Sequence, residues 1–172
     1  LSRGDQISPG SVVMVVFEGT RPLLVEAQAL VDDSVLGNPR RVSVGFELNR
    51  LAMLLAVLHR HGGLHVSDQD VFVNAVGGVR INETSSDLAL IFAVVSSLRD
   101  RSLARDLIVF GEIGLSGEIR PVPNGQERIK EAQKHGFKKA IVPFANTTHN
   151  VVSGIEVIGV STLKEALEAA DF

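Results

Sequence analysis

The 172 residues contain no cysteine, no tryptophan and no tyrosine. Without cysteine the chain can form no disulfide, no thiolate metal site and no cysteine nucleophile. An excess of charge is missing as well: the formal net charge is -3, so a nucleic-acid-binding role would need bases gathered on one face. No apolar run reaches the roughly 18 residues of a membrane span. The opening LSRGDQISPGS also lacks the charged-then-apolar order of a signal peptide, and a cytoplasmic location is the resulting expectation. The dipeptide Gly-Lys does not occur, which removes the phosphate-cradling loop of nucleotide hydrolases.

What is present suits one domain with its own core: 45% of residues are hydrophobic and 22% charged. Leu1 is not methionine, and residues 1–10 are polar with Gly4, Pro9 and Gly10. They read as a linker from a longer chain, leaving 11–172 as the domain. Asn82-Glu83-Thr84 and Asn146-Thr147-Thr148 match a glycosylation sequon and Arg3-Gly4-Asp5 an adhesion tripeptide, patterns short enough to arise by chance.

Periodicity predicts an α/β or α+β domain with a mixed sheet and about four helices. VVMVVF (12–17) and LLVEAQALV (23–31), separated by EGTRP, read as a hairpin. RRVSVGF (40–46) follows as a strand whose alternation puts Val42, Val44 and Phe46 on one face. ELNRLAMLLAVLHR (47–60) has helical spacing and stops at Gly62-Gly63. A strand at 70–76, a short extended VRI (79–81) and a helix from Ser86 to Leu98 come next; LALIFAVV is apolar all round, as a central core helix must be. DLIVFGEI (106–113) runs as a strand into the tight turn of GLSGEIRPV. NGQERIKEAQKHG reads as a helix with Asn124 as cap and Glu127 in capping-box spacing. Strands at 139–143 and 156–160 and a final amphipathic helix follow, with 144–154 as a surface loop.

Three groups could carry chemistry. His59, His61 and His65 resemble a metal cluster, but two residues apart on a helix point to different sides, and helix-end dipole and capping roles suit them better. Arg40, Arg41, Arg99, Arg101 and Arg105 sit near loop ends and are candidates for DNA phosphates, since the guanidinium fork matches phosphate, although solvated surface accounts for any one of them singly. Ser85 and Ser86 stand at the head of a helix, where serine most often caps. A nucleophilic serine would need a base.

GEIGLSGEIRPV, AIVPFAN and ETSSDLA together resemble the proteolytic domain of the Lon protease family. The wider pattern, including EGTRPLLVEAQALV, SDQDVFVNAVGGV and PNGQERIKEAQKHGFKKAIVP, is similar to one branch of it, the C-terminal Lon-like domain of a family of bacterial DNA repair proteins. The resemblance covers essentially the whole chain. It implies a Lon proteolytic-domain-like fold, related to the second domain of a small-subunit ribosomal protein. In active members a serine in Gly-Pro-Ser-Ala-Gly is deprotonated by a lysine from Gly-Gly-Leu-Lys-Glu-Lys. A gap-free register through Gly111-Glu112-Ile113, Gly117 and Pro121 puts Ser85 on the nucleophile and Arg128 on the lysine. Glu83-Thr84 replaces Gly-Pro and Asp87 replaces the glycine.

A guanidinium stays protonated and cannot act as general base, so the resemblance implies a degenerate peptidase site with no catalytic residue in this chain. Asp87 is expected to pair with Arg128 or to stabilise the helix start. For the intact protein the resemblance implies a four-cysteine zinc finger and a RecA-like ATPase core, hence zinc, ATP and magnesium as cofactors outside this chain. It further implies a hexameric ring of like copies, single-stranded or branched DNA and RecA as partners, and branch migration in recombinational repair. Two alternatives stand beside it: an active serine peptidase in which Lys130 or another lysine serves as base, and an oligomerisation module without DNA contact.

Overall fold

A computed structural model describes residues 8–35, 37–147 and 152–172. The adhesion-like tripeptide and Thr148 of the second sequon lie outside them, as does most of the 1–10 stretch read as linker.

The chain opens with two antiparallel strands, β1 (Ser11–Glu18) and β2 (Arg21–Asp33), as the Val-rich runs about Gly19 require. β3 (Arg41–Val44) pairs parallel with β4 (Gln69–Ala75) across helix α1 (Leu48–Gly62), and β4 pairs antiparallel with β2. Helix α2 (Asp87–Leu98) returns the chain to β5 (Leu107–Val109), parallel to β1. A separate two-stranded ribbon, β6 (Glu112–Ile113) and β7 (Ile119–Arg120), leads to α3 (Gly125–Lys134). β8 (Lys139–Pro143), β9 (Glu156–Val160) and α4 (Leu163–Ala169) complete the fold. The main sheet is mixed and seven-stranded, in the order β3-β4-β2-β1-β5-β8-β9. The α/β class with four helices is the one the periodicity predicts.

The helices divide between two layers. Side chains of α1, α2 and α4 pack on one face of the sheet, with Leu51, Leu58, Phe92 and Leu163 fully covered. On the other face, Ile129 and Ala132 of α3 pack with Val13, Val15, Ile108 and Phe110. α2 is buried over ten of its twelve residues, Asp87 to Ser96, which suits a sequence apolar on every side.

Several local expectations are corrected. Val42 and Val44 face outward, whereas Phe46 is buried; positive φ at Gly45 turns the chain after Val44 and gives Phe46 a different direction. The strand expected over 106–113 is two strands, because the chain leaves the main sheet at Phe110 and Gly111 donates instead to the Ser85 carbonyl. Asn124 stands at the head of α3 in the left-handed region (φ 59°) and makes no side-chain cap, since that backbone turns its side chain away from the first free N–H groups.

Gly10 ties the start of the domain down. It has φ 94°, donates its N–H to Ser96 Oγ (2.8 Å), and its carbonyl accepts from Ala29 N (2.8 Å). A Cβ there would overlap the Ala29 carbonyl oxygen. Gly10→Ala is therefore expected to destabilise by more than about 1 kcal/mol, read as a lowered denaturant midpoint. An unchanged midpoint would show that this anchor carries no stability.

Candidate functional site

The segment before α2 is a short 3-10 turn, Thr84–Ser86, that runs directly into the helix. Ser86 stands at the helix start in the right-handed region and makes no side-chain cap; its Oγ donates to the Glu83 carbonyl (3.0 Å). The N-cap expectation is thus corrected, because a serine already in helical geometry cannot turn its hydroxyl onto the following N–H groups. Neighbouring backbone serves the helix head instead: Leu88 N donates to the Gly111 carbonyl (3.0 Å).

Ser85 and Arg128, far apart in sequence, meet in space. Each is 3% exposed, and Arg128 Nη1 donates to Ser85 Oγ at 3.2 Å. Ser85 Oγ itself donates to Glu83 Oε1. Arg128 Nη1 also reaches Glu83 Oε1 (2.7 Å) and the Val15 carbonyl (2.6 Å), while its Nε holds the Pro123 carbonyl (3.0 Å). The guanidinium lies over Phe17 at 4.8 Å from the ring centroid, with Phe110 at 5.8 Å. Glu83 completes the cluster by accepting the Phe17 N–H through Oε2 (3.2 Å). Chemically this is a neutralised ion pair with a hydroxyl bound into it. Burial makes each hydrogen bond matter, since an unpaired cation there would be costly. Lys130 is exposed, two residues past the buried Arg128 on α3.

Asp87 pairs elsewhere than expected. It is 1% exposed, and both its oxygens accept from Arg50 of α1, through Nε (3.0 Å) and Nη2. Asp87 Oδ2 also accepts the Ile113 N–H (3.0 Å), and Arg50 Nη2 donates to the Ile113 carbonyl (3.2 Å). Burial pushes the Asp87 carboxyl up from its ordinary range, opposed by the Arg50 and Ile113 hydrogen bonds. Arg50 is raised in turn, first by its hydrogen bond to Asp87. The pair fastens α1, α2 and the ribbon to one another, and Arg128 finds its carboxylate in Glu83.

The five arginines nominated for DNA lie along one edge of the sheet. Arg41 opens β3, and the loop holding Arg99, Arg101 and Arg105 precedes β5, four strands away, or roughly 19 Å at the usual spacing. Their surroundings differ. Arg40 pairs with Asp70 through Nη2 (3.2 Å), and Arg41 donates to the carbonyls of Val66 (2.9 Å) and Gln69. These two are engaged in structure. Arg40's backbone and side-chain hydrogen bonds hold the Asp70 carboxyl below its ordinary range. Arg99, Arg101 and Arg105 are all exposed, and Arg101 shares a shallow cleft with Ser102 and Lys139. Asp100 interrupts them in sequence and Asp106 follows directly after Arg105.

His59 and His65 stack edge to face with centroids 4.5 Å apart. Among the described residues no three histidine or carboxylate side chains converge as a metal site would require. No helix among them is long and apolar enough to cross a membrane.

A family model described as subunit ChlI of Mg-chelatase matches residues 35–146. The chain is 67% identical over 171 residues to the DNA repair protein RadA of Escherichia coli (strain K12), covering 99% of this chain and 37% of that protein. It is 64% identical over 169 residues to RadA of Pseudomonas aeruginosa and 46% over 161 residues to RadA of Aquifex aeolicus. The chain thus spans little more than a third of the length of these curated relatives.

Proposed function

The chain belongs to the family described as subunit ChlI of Mg-chelatase, and we propose that it serves as a non-proteolytic, Lon-like platform domain of a RadA-type DNA repair protein. The observation that carries this reading is the 67% identity with RadA over 99% of the chain. Chelatase chemistry is the family description's, and nothing in the site geometry calls for it. The local geometry supports the non-proteolytic part: the Ser85 hydroxyl is buried, bound to Glu83, and faced by a permanent cation where a peptidase needs a base.

In the intact protein this domain would support a hexameric ring and contribute to binding single-stranded or branched DNA. ATP, magnesium and zinc would be held by regions outside this chain. The whole assembly would act in the cytoplasm with RecA, hydrolysing ATP to drive branch migration on recombination intermediates.

Of the five nominated arginines, Arg99, Arg101 and Arg105 fit DNA phosphates best, because all three are exposed on the one loop that leads into β5. Alanine at these three positions in the intact protein is expected to weaken binding to all sequences alike. It should also lower the slope of log affinity against log salt by about 0.7 to 0.9 for each phosphate that is no longer neutralised. Affinity measured over a salt series checks this. An unchanged slope and affinity would favour an oligomerisation module without DNA contact here.

A further inference from the structure

Helix α1 and the start of edge strand β3 leave a cleft of about 340 Å³, closed by Val66 and Ser67. Its form follows from the helix sequence. Ala52 and Ala56 lie one turn apart on an exposed strip of α1, and neither has a side chain long enough to fill the space beside it. Leu55 and Val66, both buried, give the cleft an apolar floor. His59 stands one turn further along, its ring held edge to face against His65. Arg41 is the fixed cation of the cleft, and no carboxylate lines it among the described residues.

The hydrogen bonding of Arg41 singles this cleft out. Its Nη1 donates to the carbonyls of Arg40 (3.3 Å) and Gln69, and its Nη2 to that of Val66 (2.9 Å). Gln69 N donates to the same Val66 carbonyl (3.1 Å), so the guanidinium is fastened onto a closed turn. These bonds use three of the five N–H donors of an arginine, and all three acceptors are neutral. The N–H at Nε and one at Nη2 have no partner among the described residues, and no carboxylate there pairs with the charge. Nε and Nη2 are donors that carboxylates and phosphates take in pairs. Because the side chain is already immobilised, a ligand need not bear the cost of ordering it.

We propose that this cleft binds a compact organic anion, with one carboxylate or phosphate-ester group on Arg41 and an apolar body over Leu55, Val66 and the two alanines. Ser67 supplies a hydroxyl and His59 a ring edge or face to the same ligand. The volume is far more than a bare phosphate fills and lies at the small end of ligand sites, roughly 300 to 1,000 Å³. The apolar body is therefore part of what is recognised. The site shares no residue with the Ser85, Glu83 and Arg128 cluster and does not rest on the platform reading.

Phenyl phosphate and benzoate carry the two anionic groups on one aromatic body, and inorganic phosphate lacks the body. Each is titrated into the isotope-labelled 172-residue chain while the backbone amide signals of Ala52, Ala56 and Ser67 are followed by NMR. At least one aromatic anion is expected to shift them saturably with a dissociation constant of about a millimolar, as suits a ligand of about ten non-hydrogen atoms. The tighter of the two identifies the anionic group. Arg41→Lys keeps the charge but loses the planar fork, and is expected to weaken binding about tenfold. Ala56→Phe fills the cleft from an exposed helix position. It is expected to abolish binding with an unchanged melting temperature, so the test holds even where Arg41→Lys loosens the turn. Absence of saturable shifts would overturn the proposal, as would binding that survives Ala56→Phe. Inorganic phosphate bound as tightly as phenyl phosphate would overturn it too, by reducing the site to a surface cation. So would tighter binding of oligothymidylate at the same amides, which would assign Arg41 to the DNA backbone.

Discussion

Alanine in place of Arg50 is expected to destabilise the chain by about 3–5 kcal/mol, the usual cost of leaving a buried charge without its partner. Asp87 is almost wholly enclosed and cannot turn to water for solvation. Ile113 N would remain as one donor, too little for a carboxylate that now receives three hydrogen bonds. Removing both charges, in Arg50→Met with Asp87→Leu, is expected to cost far less, because no orphan charge remains. The pH dependence gives a second signature. Burial holds the Asp87 carboxyl above its ordinary range. For such a group the stabilising contribution is full below the unfolded value and is lost as pH rises through the folded one. Without Arg50 the upward push is opposed only by the Ile113 hydrogen bond, so the deficit of Arg50→Ala should shrink as the medium is acidified and Asp87 takes up a proton. Urea midpoints from acid to neutral pH test this. A deficit independent of pH would show that Asp87 is not the stranded group.

The second large effect concerns Arg128. Arg128→Ala is expected to cost about 3 kcal/mol, at the lower end for a broken buried pair because Glu83 is partly solvent-accessible. Arg128→Lys, which restores the residue type of the active Lon pattern, is expected to gain no peptidase activity. A lysine there would lie beside the Glu83 carboxylate, and a nearby opposite charge keeps an ammonium protonated. It could not take the Ser85 proton. Casein turnover together with labelling by a serine-directed reagent checks both forms. Labelling of Ser85 with turnover that disappears in Ser85→Ala would overturn the non-proteolytic reading.

Much of this arrangement is legible in the residue pattern. Alternating and helical periods place the strands and helices, because β1, α1 and α2 are apolar in the periods their burial demands. The meeting of Ser85 with Arg128 follows from a register with a known family, since no local pattern links residues 43 positions apart. The carboxylate partners are exchanged, and one of them leaves a trace. Arg50 precedes Leu54 and Val57 by four and seven residues, so it is a cation on the buried stripe of α1 and calls for an internal acid. Glu83 leaves none: its role depends on where the Phe17 N–H and the end of β1 lie. Strand period likewise cannot tell which side of β3 meets the core, because alternation is the same whichever face is covered.

β1 has one further consequence. Its even residues Val12, Met14 and Val16 belong to the apolar layer under α1, α2 and α4, and its odd residues Val13 and Val15 to the layer under α3. One strand is thus the shared wall of two compartments. Neither layer can open without baring a side of the strand that the other still needs in place, and the same strand carries the Val15 carbonyl that holds Arg128. Cooperativity in this domain is built through the middle of the sheet, so the two layers are bound to melt as one unit.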